Sequence, residues 1–287
     1  MDKADTPKPT PASKPDTKEA WSIQLEDLRL GYGDHVVLDD INTTIPGGGI
    51  TAILGESGGG KSTLLRHIIG LSRPMRGRIL YGGKDLFALP AKQFRRARRR
   101  FGVLFQDGAL LGSLTLAENV GLPLSENTEL SPSIIRDAVL RTLKLVGLDG
   151  FANFYPNQLS GGMRKRGGLA RAIVTEPPIL FCDEPTSGLD PIHAAQMDQL
   201  LLDMKIQFPG MTIIVVTHDL ASVAGIAQRV LVLGAGSIVF SGTYEALCAS
   251  QEPYLLDFVN RRSTCRAMEV DPADPTVREA LTAWLQQ

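Results

Sequence analysis

Cysteine is scarce in this sequence: three among 287 residues, at spacings that form no pattern. A secreted fold framed by disulfides is thereby excluded, and reduced thiols in a cytosol fit the count. Cys182 lies inside an apolar run and reads as a small core residue. Also missing is any uninterrupted apolar stretch near the roughly 20 residues that a membrane-spanning helix needs. Residues 1–20 lack the apolar centre of a signal peptide and hold four prolines among mixed Lys, Asp and Glu. They read as a disordered tail, with folded sequence starting near Trp21. Excess charge is absent as well. A formal net charge of −1 argues against a bulk nucleic-acid binder. What remains, 43% hydrophobic and 21% charged residues, is the balance of an ordinary globular protein.

One segment departs from that background. Gly55-Glu56-Ser57-Gly58-Gly59-Gly60-Lys61-Ser62 has the spacing G-x-x-x-x-G-K-S. Before it, Ile50-Thr51-Ala52-Ile53-Leu54 is apolar and β-branched, as a buried strand is. After it, Thr63 to Ile69 has helical character. A strand, a glycine turn and a helix start form the context in which this spacing wraps phosphate. Glycines let backbone N–H groups curl around phosphate oxygens at angles a β-carbon would obstruct. The helix N-terminus adds partial positive charge. Lys61 is placed to reach the β- and γ-phosphates of a nucleotide, and the Ser62 hydroxyl to ligate Mg²⁺.

Along the rest of the chain, Ile23 to Ile45 reads as strands broken by a turn at Gly31-Tyr32-Gly33-Asp34. Ile79-Leu80-Tyr81 before Gly82-Gly83 suggests a strand and turn. Pro90 to Arg100 reads as a basic helix and Phe101 to Phe105 as a buried strand. From Leu114 to about Ile173 apolar residues recur at three- and four-residue spacings, a helical region. Ile179-Leu180-Phe181-Cys182 and Thr212 to Val216 are short apolar strands flanking a helix-like stretch from His193 to Phe208. Val230 to Leu233 and Ser237 to Phe240 suggest a late hairpin. Strands alternating with helices imply a parallel sheet covered on both faces. No internal repeat is visible.

Further segments fall in a telling order. Two carboxylates, Asp183 and Glu184, end the Ile179 strand and precede Pro185-Thr186-Ser187-Gly188-Leu189-Asp190. About 20 residues earlier stands Leu159-Ser160-Gly161-Gly162-Met163. Gln106 follows the Phe101 strand, and His218 follows the run Thr212 to Thr217. With these, the chain from about Ile23 to Ala249 resembles the ATPase subunit of an ABC transporter. The resemblance implies an α/β fold: a P-loop NTPase (RecA-like) core, an N-terminal antiparallel β subdomain and an inserted α-helical subdomain. Its boundaries would be a tail at 1–20, the ATPase domain at 21–250 with the helical subdomain at about 107–175, and a C-terminal helical extension at 251–287.

The resemblance also implies roles. Gly55, Glu56, Ser57, Gly58, Gly59, Gly60, Lys61, Ser62 and Thr63 would bind ATP, with Tyr32 stacking on adenine. Ser62, Gln106 and Asp183 would hold Mg²⁺. Glu184 would accept a proton from the attacking water or polarise it. Gln106 and His218 would sense the γ-phosphate. Ser160, Gly161 and Gly162 belong to the family signature, in which Met163 stands where Gln is usual. They would contact the ATP held by a second subunit, which implies a homodimer with two composite sites.

The stretches Phe101 to Leu124 and Ser160 to Arg166 resemble the subgroup that drives Mce-type lipid transport, including the systems that maintain outer-membrane lipid asymmetry. That resemblance implies an integral membrane permease and an Mce-type lipid-binding subunit as partners. It puts the chain at the cytoplasmic face of the inner membrane as a peripheral subunit. Transport of another small solute is the alternative within the family, and a soluble ABC motor the alternative outside transport. Lys92, Arg95, Arg96, Arg98, Arg99 and Arg100 form a basic run that is either a solvated helix face or a contact for an anionic membrane surface. Asp274-Pro275 opens a last amphipathic helix bearing Val277, Leu281, Trp284 and Leu285, suited to docking on the core or on a partner subunit.

Overall fold

Three apolar strands are buried along nearly their whole length: β3 (Ile50–Gly55), β7 (Ile179–Asp183) and β8 (Thr212–Val216). A strand that hides both faces must lie inside a sheet with cover on each side. In the computed structural model, which describes residues 21–260, these three occupy the middle of a six-stranded sheet. Its order is β10-β9-β3-β8-β7-β6, with β6 (Phe101–Leu104), β9 (Arg229–Gly234) and β10 (Ser237–Gly242) completing it. All neighbours run parallel except the edge strand β10, which returns antiparallel along β9. The late hairpin is thus half of a longer arrangement, since β9 also pairs with β3. The tail expected at residues 1–20 and the helix expected from Asp274 lie outside the described residues.

Alternation along the central strands sorts the interior into two cores. Leu180, Cys182, Ile213 and Val215 face one way, and Ile179, Phe181, Ile214 and Val216 the other. The first face is covered by helices α3 (Leu116–Asn127), α4 (Pro132–Leu145), α5 (Gly161–Ile173) and α6 (Pro191–Gln207), through residues such as Val120, Leu143, Leu169 and Leu201. The second face meets α1 (Lys61–Ile68) and a separate antiparallel sheet of order β2-β1-β4-β5. There β1 (Ile23–Tyr32), β2 (His35–Ile45) and β4 (Arg76–Tyr81) supply Leu28, Leu38 and Ile79, and β5 (Lys84–Asp85) closes the edge. Both faces are covered as expected, but by different layers.

The helical stretch after β6 is pinned by polar groups. Thr115 and Glu118 form a reciprocal capping box at the start of α3: the Thr115 N–H donates to Glu118 Oε2 at 2.7 Å, and Glu118 N–H to Thr115 Oγ1 at 3.3 Å. The Thr115 N–H, with the Thr115 hydroxyl that donates to the same oxygen at 2.8 Å, holds the Glu118 carboxyl below the usual carboxylate range. The fully buried Asn119 accepts from Leu111 N–H at 2.7 Å and donates to the carbonyls of Leu111, Leu114 and Thr115. It anchors the loop between Gln106 and α3. The basic helix is α2 (Ala91–Arg98), with no buried residue. Another short helix, α7 (Leu220–Ile226), follows β8 and is capped by Asp219, which accepts from Ala221 N–H at 3.0 Å.

Described residues 245–260 belong to a second compact unit. It takes in all of α8 (Tyr244–Cys248) but its first residue, and α9 (Pro253–Val259), which is capped by Glu252 accepting from Leu255 N–H at 3.1 Å.

Candidate functional site

Strand β3 ends where the glycine-rich turn begins, and the turn ends in α1. Gly60 caps that helix with φ +90°, and a β-carbon there would come within 2.8 Å of the Leu38 side chain. Both the left-handed backbone and the crowding demand glycine. The first helical bond runs from Leu64 N–H to Gly60 O at 2.8 Å. The N–H groups of Lys61, Ser62 and Thr63 therefore have no acceptor in the helix and point from its start, as an anion requires. Glu56, Ser57, Gly58 and Ser62 are exposed on this turn. Lys61 is buried, and its Nζ donates to Gly55 O and Glu56 O, each at 2.9 Å. Burial draws its pKa down, while the nearby Glu184 and Asp183 carboxylates oppose that shift.

Those carboxylates end β7, at the C-terminal edge of the parallel strands where open α/β sheets bind ligands. Burial raises the Asp183 pKa, with Glu184 adding to the rise and Arg66 and Lys61 opposing it. Its Oδ1 is buried and has no hydrogen-bond partner among the described residues. A buried, acceptor-only oxygen of this kind fits a bound cation, so Asp183 meets the requirement for Mg²⁺. Glu184 is differently held. Its backbone has φ +49°, its N–H donates to Val216 O at 2.8 Å, and its side chain is 13% exposed. Oε1 lies 3.0 Å from His218 Nδ1 and Oε2 accepts from the Thr217 hydroxyl at 3.4 Å. A carboxylate only accepts, so the imidazole proton in this pair sits on Nδ1. The His218 side chain is 66% exposed, leaving the ring open to a ligand.

Tyr32, at the end of β1, is exposed and puts its hydroxyl 3.5 Å from Thr63 Oγ1. It therefore stands beside the first turn of α1. Ser160 caps α5, its Oγ accepting from Met163 N–H at 3.2 Å, so the helix starts at Gly161, inside the signature itself. Gln106 is exposed beyond the end of β6. The structure thus gathers Lys61, Asp183, Glu184 and His218 at one place. Among the described residues no hydrogen bond joins Gln106 or the Ser160–Gly162 turn to the glycine-rich loop.

Sequence reasoning missed two residues that organise this site. Lys165 reaches from α5 to the turn after β7, with Nζ donating to Glu184 O at 3.0 Å. Arg171 donates to Gly108 O at 2.9 Å and Ala109 O at 2.7 Å, fixing the loop after Gln106. The available signal was helical spacing: Lys165, Gly168, Leu169 and Ala172 share the apolar face of α5, where a lysine is out of place.

A parallel sheet with a glycine-rich phosphate loop at one strand end and a paired carboxylate at another defines a P-loop nucleotide hydrolase. Comparison with known proteins narrows the class. The family model described as ABC transporter matches residues 38–187, and the chain belongs to that family. It is 44% identical over 241 residues to the probable ribonucleotide transport ATP-binding protein mkl of Mycobacterium tuberculosis, covering 84% of this chain and 67% of that one. It is 37% identical over 257 residues to the intermembrane phospholipid transport system ATP-binding protein MlaF of Haemophilus influenzae, covering 90% and 97% respectively. Among solved structures, the dimeric post-hydrolysis state of the ATP-binding cassette MJ0796 bound to ADP and Pi superposes with a TM-score of 0.71 at 33% identity, covering 77% of this chain and 98% of that one.

Proposed function

We propose that this chain is the ATP-hydrolysing subunit of a membrane transporter that moves phospholipid or another lipid of the Mce/Mla type. The observation that carries the hydrolytic reading is Glu184, a largely buried carboxylate held by His218 and Thr217 beside Asp183 and Lys61. ATP lies along the Gly55–Thr63 loop with its adenine on Tyr32. Water attacks the γ-phosphorus and gives its proton to Glu184, and the bond from that phosphorus to the β–γ bridging oxygen breaks. ADP and phosphate leave. Ser62, Asp183 and Gln106 would hold Mg²⁺, which would supply positive charge to offset that of the phosphate oxygens. In a homodimer, the α5 start at Ser160, Gly161 and Gly162 meets the γ-phosphate of the other subunit's ATP, and His218 meets its own.

Residues 21–250 act as the ATPase domain, with the helical part at about 107–175 facing the permease and an extension from 251. A groove of about 600 Å³ opens between the free edge of β6 and α3, lined among others by Arg98, Arg99, Phe105, Leu122 and Arg171. Its mixed lining of apolar side chains and arginines would suit a cytoplasmic permease helix bearing carboxylates. The subunit is then peripheral, on the cytoplasmic face of the membrane. No described helix is long and apolar enough to cross it.

Two observations support lipid as cargo: the Phe101–Leu124 and Ser160–Arg166 stretches, and the 37% identity to MlaF. Transport of a ribonucleotide is the second reading, favoured by the name of the mycobacterial relative. Purification of the tagged full chain in mild detergent, followed by mass spectrometry, tests the assignment. A small multi-span permease and a membrane-anchored Mce protein are expected. A periplasmic solute-binding protein in their place would overturn the lipid reading and leave the ATPase reading standing.

A further inference from the structure

Lys165 is 6% exposed, and among the described residues it forms no ion pair. Its Nζ donates to Glu184 O at 3.0 Å, Ser187 O at 2.5 Å and Ser187 Oγ at 3.1 Å. The three donors of the ammonium thus have three neutral acceptors, all on the turn that follows β7. Burial draws its pKa down, against the attraction of Asp107 and Glu184. Neutral oxygens compensate a buried charge poorly, so a lysine kept here contributes geometry more than stability.

What it fixes is the backbone of Glu184. That residue has φ +49°, a left-handed conformation unfavourable for a residue with a β-carbon. Its carbonyl accepts from Ser187 N–H at 3.2 Å and from Lys165 Nζ, which together orient the peptide plane after it. Further along, α5 is just as closely tied to the loop after Gln106. A β-carbon on Gly168 would come within 2.7 Å of Gly108 Cα, and Arg171 holds the Gly108 and Ala109 carbonyls. One helix, begun at Ser160, is therefore fastened both to the loop after Gln106 and to the turn that carries Glu184.

We propose that Lys165 is a positioning residue for hydrolysis: by clamping the Glu184–Ser187 turn to α5 it sets the direction of the Glu184 carboxylate. The proposal rests on the reading of Glu184 as the proton acceptor. Misplacing a reacting group by about 1 Å lowers rates by roughly 100-fold. Lys165→Met keeps the side chain's length and removes its donors. We expect kcat to fall by roughly 10- to 100-fold per nucleotide-binding site, with KM for ATP within about twofold, because Lys61 and its loop are untouched. Lys165→Arg, which retains donors, recovers most of the loss.

The decisive arm is a double-mutant cycle in single-turnover assays. A residue acting through Glu184 adds little once Glu184→Gln is present, whereas an independent structural defect multiplies the loss in both backgrounds. If Lys165→Met yields no folded protein, Lys165→Gln enters the same cycle with one amide donor retained. Unchanged kcat, a matching rise in KM, or equal losses in both backgrounds would overturn the proposal. Undiminished hydrolysis by Glu184→Gln alone would instead remove the Glu184 reading on which it rests.

Discussion

Exchanging Glu184 for Gln removes a proton acceptor and almost no volume. General-base assistance supplies about 10²–10⁴-fold, or roughly 3–5 kcal/mol of barrier. The structural cost is smaller. An amide oxygen can keep either the His218 bond at 3.0 Å or the Thr217 bond at 3.4 Å, but its NH₂ cannot accept the other. Loss of one such bond costs about 0.5–1.5 kcal/mol. Removal of a neighbouring negative charge also relieves Asp183, whose pKa Glu184 helps to raise. The variant is therefore expected to fold, to bind ATP at least as well as the parent, and to lose about 100-fold or more in kcat. Phosphate release measures turnover, a fluorescent nucleotide reports affinity, and gel filtration with ATP reports the dimer that accumulates when hydrolysis stalls. Turnover within about tenfold of the parent would mean that some other group takes the proton.

Lys61→Ala deletes a cation from the loop and is expected to weaken ATP binding itself, seen as a raised Kd by titration calorimetry, where Glu184→Gln leaves Kd alone. Mixing Ser160→Arg subunits with Lys61→Ala subunits leaves one intact composite site per heterodimer. Phosphate release above that of either homodimer is expected, and no gain would count against a shared site able to turn over alone. Asp183→Asn is expected to raise the melting temperature of the protein without nucleotide or Mg²⁺. The folded-state pKa of Asp183 is raised, so its ionised form weakens the fold above the carboxylate range and the penalty fades as pH falls through it. Scanning calorimetry is expected to show the variant melting above the parent at neutral pH, with the gap closing as pH falls, and ATPase activity lost throughout.

Local chemistry made much of the fold legible. The strand, turn and helix around Gly55–Ser62 follow from a β-branched run, glycines and a helix start within some 20 residues of chain. The apolar runs of β7 and β8 announced strands buried on both faces, but their partition into two cores needs register. No period distinguishes a face covered by α5 from one covered by the β1–β2–β4 sheet. That sheet itself closes through pairings such as Ile23 with Tyr81, which no local pattern encodes. The site divides the same way. Lys61 and the carboxylates are visible as motifs, while the unpartnered Asp183 oxygen and the reach of Lys165 to Ser187 across 22 positions exist only once α5 lies against the end of β7. A lysine on an apolar helix face was the one hint available beforehand.

Stimulation of ATPase activity tests the central claim most directly. The subunit is purified with the membrane proteins that accompany it, and phosphate release is followed as phospholipid vesicles, ribonucleotides, sugars or amino acids are added. The account predicts that phospholipid raises turnover of the complex, that the other solutes do not, and that Glu184→Gln abolishes the response. Stimulation by a ribonucleotide or another soluble solute, with none by phospholipid, would contradict it.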